Sequence, residues 1–97
     1  MTGTAYLTPI APTVFTAPED VAAVYAVFPL AQFGWNQTTA YLIVSSSDLV
    51  GDTVVYPCDE TGQMLAYDLL AHVPHANHVA ALLAAGYELE AVVLRGA

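Results

Sequence analysis

The sequence predicts a small single domain of the α+β class: a sheet of about four strands, antiparallel or mixed, packed with two helices and preceded by an extended N-terminal arm. Three observations carry that reading. Residues 38–45 form a β-branched and aromatic run bounded by turn residues. Two segments, 17–28 and 77–86, carry helix start and stop residues. Hydrophobic residues make up 57% of the 97 positions, enough for one core with apolar surface left over for contact.

Taken in order, residues 1–16 hold Pro9 and Pro12 among threonines and alanines and read as the extended arm, with residues 17–97 as the domain. Thr16-Ala17-Pro18-Glu19 has the form of a capping box with proline in the first turn, which predicts a helix over 17–28. Val21, Val24, Tyr25 and Phe28 fall at helical spacing. Because alanine and valine fill the other positions, that helix is expected to be covered on more than one side. Pro29 ends it, and Phe33-Gly34-Trp35-Asn36 lies in the connection to the strand 38–45, whose two apolar faces predict a central position.

Thr53 to Pro57 and Gln63 to Tyr67 read as the arms of a hairpin turning through Asp59-Glu60-Thr61-Gly62. Asn77 at the start and Gly86 just past the end predict a short helix with Val79, Leu82 and Leu83 as its apolar stripe. A last strand is expected over 87–94, with Glu88 and Glu90 on one face.

Charge sets the functional boundaries. Arg95 is the one basic residue against nine carboxylates, a formal net charge of −8, and charged residues are 10% of the chain where about 25% is usual. Affinity for nucleic acid comes largely from lysine and arginine on phosphates, so nucleic acid is not an expected partner, and anionic membrane surfaces fail for the same reason. The longest apolar run, 21–31, is too short to span a bilayer and contains Pro29. With no basic segment ahead of an apolar one and a single cysteine, the expected compartment is the cytoplasm.

Candidate chemistry is sparse. His72, His75 and His78 are the candidate metal ligands, and a three-histidine site with an open position would suit a metal-dependent hydrolase. Pro74 interrupts any single helix through them, and neither HExxH nor CxxC is present, so solvated or capping histidines are the simpler reading and no cofactor is implied. Cys58 lacks a legible base and oxyanion site and reads as a structural thiol. Ser45 to Ser47 lack a nucleophile elbow, so no catalytic residue is assigned. Glu88 and Glu90 read as a solvated face. The apolar surplus therefore points to binding, with Phe33, Trp35, Val92, Leu94 and Arg95 as interface candidates and a second copy or a foreign protein as partner.

Thr53-Val54-Val55-Tyr56-Pro57-Cys58-Asp59-Glu60-Thr61-Gly62, followed by His78-Val79-Ala80-Ala81-Leu82-Leu83-Ala84-Ala85-Gly86-Tyr87-Glu88, resembles small uncharacterised proteins encoded by phages of actinobacteria. The resemblance covers roughly residues 53–90. It implies a setting, a small soluble protein made in a bacterial host and acting in its cytoplasm, and no catalytic positions. Within that setting the expected function is non-enzymatic protein–protein interaction or self-assembly, and the alternative is a minor capsid or tail component of the virion.

Overall fold

A computed structural model describes residues 3–10, 21–47, 51–66, 68–75 and 77–90, with the backbone alone for Val21 and Ser47. These residues build six strands and one helix, β1 (Gly3–Leu7), β2 (Val21–Phe33), β3 (Gln37–Ser47), β4 (Asp52–Cys58), β5 (Ala71–Val73), α1 (His78–Ala84) and β6 (Tyr87–Leu89). The strands form one sheet in the order β5-β4-β3-β2-β1-β6, antiparallel throughout except for the parallel pair of β1 with β6. The expectation of about four strands and two helices is thus overturned.

The largest correction is over 17–28. Positions 21–28 belong to β2, which pairs with β1 on one side and β3 on the other. A run that is apolar all round suits a fully covered helix and a strand covered on both faces equally well, and spacing alone does not separate them. Here Val24, Tyr25 and Val27 are buried at 0–5% exposure with Val24 facing the opposite way from the other two, which is the two-sided burial of a central strand. The valine, tyrosine and phenylalanine content favours that outcome, because branched and aromatic side chains pack well on a pleated surface. The capping box, at 16–19, lies outside the described residues.

The N-terminal segment is corrected too. Gly3–Leu7 is a sheet strand hydrogen-bonded on both sides, and Thr8 continues the connection through its backbone N–H and its hydroxyl, which both donate to the Val24 carbonyl at 3.1 and 2.8 Å. The alternation Thr4, Ala5, Tyr6, Leu7 supplies the strand pattern, and Pro9 comes only after it. Gly3 is required by close approach: a Cβ there would stand 2.7 Å from the Phe28 carbonyl oxygen and from the Tyr87 ring.

The turn Asp59–Gly62 forms as its chemistry predicts, but its return arm does not become a strand. Cys58 and Met64 make an isolated bridge, and Leu65 N–H donates to the Pro57 carbonyl at 3.0 Å. The rest of that side of β4, at Thr53 to Val55, is taken by β5, so a long second arm has no free ladder to occupy. Tyr67 and residues 91–94 of the expected last strand lie outside the described residues.

α1 starts at Asn77, whose side-chain Oδ1 accepts from Ala80 N–H at 3.1 Å, and stops ahead of Gly86 at φ +97°, both as the cap residues predict. Its buried residues are Ala81 and Leu82; Val79 and Leu83 face outward, so the inward stripe is rotated from the expected one. Five strand spacings of about 4.8 Å would hold the outer strands β5 and β6 about 24 Å apart in a flat sheet. A seven-residue helix rises only about 10.5 Å. Since α1 touches both outer strands, the sheet must curl, with α1 across its concave side over Tyr25, Leu42, Val44, Val55 and Tyr87. On the opposite face Val24, Ile43 and Cys58 are covered by Ile10, Tyr41 and Met64.

Candidate interaction surface

The β2–β3 hairpin carries the largest exposed apolar side chains. Its ladder closes at Phe33 opposite Gln37, and the three residues between them turn through Gly34 at φ +56° and Asn36 at φ +64°. Glycine and asparagine are the residues that tolerate this left-handed backbone. The turn carries Trp35 outward with 90% of its surface exposed.

Farther back, four β2 residues, Val27 to Leu30, stand opposite Ala40 alone, between the pairs Ala26 with Tyr41 and Ala31 with Thr39. Pro29 has no N–H for the ladder, which suits a bulge, and its peptide bond with Phe28 is cis. At this bulge Phe28 and Leu30 are 73% and 52% exposed. The bulge is tied down by Tyr87, whose hydroxyl donates to the Pro29 carbonyl at 2.7 Å. Trp35 and Phe28 therefore project from a held strand pair and not from a slack loop.

Carboxylates border this surface. Asp68 Oδ2 and Gln37 Oε1 lie 3.3 and 3.1 Å from where a Cβ on Gly34 would stand, so an acidic oxygen sits against the turn that presents Trp35. On the convex face Phe28 is in register with Thr4, and Thr4 with Glu88, which places an exposed glutamate two strands away in the same row.

Of the interface candidates, Trp35 is exposed and Phe33 is buried at 8%; Val92, Leu94 and Arg95 lie outside the described residues. Sequence reasoning missed Phe28 and Asp68. A phenylalanine before Pro29 in an otherwise strand-forming run was the available signal for the first; nothing local signals the second.

The three histidines are not brought together. His72 lies on β5 with Nε2 3.1 Å from Asp52 Oδ2, both partly solvated. It pairs with Val54, and the neighbouring pairs, Val55 with Ala71 and Thr53 with Val73, place Val55 and Val73 in the concave core, so His72 faces the other way. His78 points into the concave side, where Nδ1 and the Tyr25 hydroxyl share a 2.9 Å hydrogen bond and the rings meet edge to face. His75 is exposed and contributes its carbonyl to Thr53. Among the described residues no group of three or more His, Cys, Asp or Glu is placed to hold a metal ion.

Other reactive groups are committed to structure. Cys58 is fully buried, and burial, with the adjacent Asp59 carboxylate adding to it, pushes the thiol up to about 12. It is therefore a neutral thiol at physiological pH and a poor nucleophile. The Ser46 hydroxyl is 2.8 Å from Thr53 Oγ1. Asp59 Oδ1 accepts from the Thr61 hydroxyl and from the backbone N–H groups of Gln63 and Thr61, which hold its carboxyl below the usual carboxylate range. Burial alone raises the hydroxyls of Tyr25 and Tyr87 above their ordinary value. Among the described residues no helix is long and apolar enough to cross a membrane. Compared with protein-family models, with curated proteins and with solved structures, the chain matches none.

Proposed function

We propose that this chain is a non-enzymatic protein–protein interaction module that docks through the outer end of its β2–β3 hairpin. The observation that carries the reading is the 90% exposure of Trp35 on a hairpin that also holds Phe28 out at 73%. Tryptophan and phenylalanine anchor interfaces because each buries a large apolar area while losing little side-chain freedom. Such groups left in water on an anchored strand pair are costly to solubility unless a partner covers them.

The partner is a foreign protein in preference to a second copy. Two chains at −8 each repel, and each has only one basic residue with which to answer the other's nine acids. The resemblance to phage proteins supplies the setting for this proposal, the cytoplasm of a bacterial host.

The test compares affinity capture from host lysate by the wild-type chain and by a Phe28→Ser, Trp35→Ser variant. The variant should keep the wild-type circular dichroism spectrum and lose the captured partner, since anchors of this kind are worth about 2 kcal/mol or more each. Equal capture by both chains overturns the reading. Light scattering at micromolar concentration should give a monomer, and a salt-insensitive dimer would return the surface to self-association.

A further inference from the structure

We infer that the hairpin end is specific for a cationic side chain, an arginine or lysine of the partner, held between the Trp35 ring and the Asp68 carboxylate. The inference rests on the proposal that this surface is a docking site and adds the chemistry of what docks. Its first support is local. An indole face attracts a guanidinium or ammonium through its quadrupole, and tryptophan is the best of the aromatic residues at this. Asp68 Oδ2 is 3.3 Å from where a Cβ on Gly34 would stand, so this carboxylate lies against the backbone of the residue directly before Trp35. Gln37 Oε1, 3.1 Å from the same point, adds a neutral acceptor for the remaining N–H groups of a guanidinium.

The second support is the charge of the whole chain. With no lysine and −8 net, the described surface offers a partner acceptors and carboxylates but no cation, so electrostatic complementarity can be met only from the partner's side. Glu88, in the same convex row as Phe28 and Thr4, extends the acidic border to the other side of the apolar patch. The surface therefore fits a partner segment in which basic residues alternate with apolar ones: the apolar groups cover Phe28 and Leu30, and a basic group reaches Asp68.

Trp35 is the single tryptophan of the chain, so intrinsic fluorescence reads this position alone. The experiment titrates the full chain with a short synthetic peptide alternating leucine and arginine, and with the same peptide carrying citrulline, the neutral isostere, in place of arginine. The arginine peptide should perturb Trp35 emission at a Kd about tenfold or more below that of the citrulline peptide. Asp68→Asn should remove most of that difference. Asp52→Asn deletes an equal charge at the far end of β3, where Asp52 pairs with Ser47, and should leave the difference in place. Equal binding of the two peptides, absence of binding by either, or equal weakening by Asp68→Asn and Asp52→Asn each overturns the assignment. These outcomes are separate from the capture experiment: a partner lost with Phe28 and Trp35 but indifferent to Asp68 leaves the docking surface standing without its cation specificity.

Discussion

Thr53 has one hydroxyl proton and two lone pairs, and all three are used. It is fully buried; its Oγ1 donates to the His75 carbonyl at 2.8 Å and accepts from Asn77 N–H at 2.9 Å, which leaves Ser46 as the donor in the third contact at 2.8 Å. One side chain in β4 thereby anchors the segment that starts α1. Thr53→Val keeps the shape and deprives the buried Ser46 hydroxyl, the His75 carbonyl and the Asn77 N–H of their shared partner, so it should cost about 1 to 3 kcal/mol in urea denaturation, and a loss under about 0.5 kcal/mol would refute the anchoring role. Asp59 acts on the turn in a pH-dependent way. Its folded pKa is depressed, so its stabilisation is complete above the unfolded value of about 3.9 and is lost as pH falls through the lower folded value. The stability difference between wild type and Asp59→Ala should therefore be constant above about pH 5 and shrink as pH falls below about 4, and a difference independent of pH would show that the carboxylate charge is not what holds the turn. The turn was legible in advance because aspartate and glycine act through their own neighbours. The Thr53 network was not, because its partners are 7 to 24 residues away.

At the scale of elements, α1 shows how a short helix is stabilised by what it covers. Seven residues are too few to be stable alone in water, so its persistence depends on Ala81 and Leu82, both fully buried. Leu82→Ala should cost about 2 to 5 kcal/mol. Val79→Ala, on the same helix but 46% exposed, should change stability by less than about 0.5 kcal/mol. Similar losses from the two, read as shifts in urea midpoint at constant slope, would mean that the helix is not oriented as described. The caps of α1 were readable from Asn77 and Gly86, and the extent of β3 was nearly so, from its branched run. β2 was not, since an all-apolar segment satisfies two periodicities, and what decides between them is the presence of β1 and β3 as ladder partners on either side. The hairpin end shows the same limit: Trp35 could be picked out by residue type, whereas the approach of Asp68 depends on the path of the chain from β4 to β5.

For the whole molecule the governing quantity is the imbalance of nine acids against one base. Charge of one sign spread over a small domain repels itself and opposes the compact state. Added salt shortens the reach of that repulsion to about 10 Å at 0.1 M. Going from low salt to about 0.5 M should relieve roughly 1 kcal/mol and raise Tm by about 4 °C or more. A Tm that is flat or falling with salt would show that favourable ion pairs dominate, against the single histidine–aspartate pair seen among the described residues.

The parallel pairing of β1 with β6 bears on how the sheet is made. Gly3 meets Tyr87 across 84 positions of sequence, whereas β2, β3 and β4 pair with near neighbours. During synthesis the β2–β3–β4 meander can assemble early, while β1 waits with one edge unpaired until β6 emerges. Until β6 docks, the outer edge of β1 is the part of the sheet most open to pairing with a stranger.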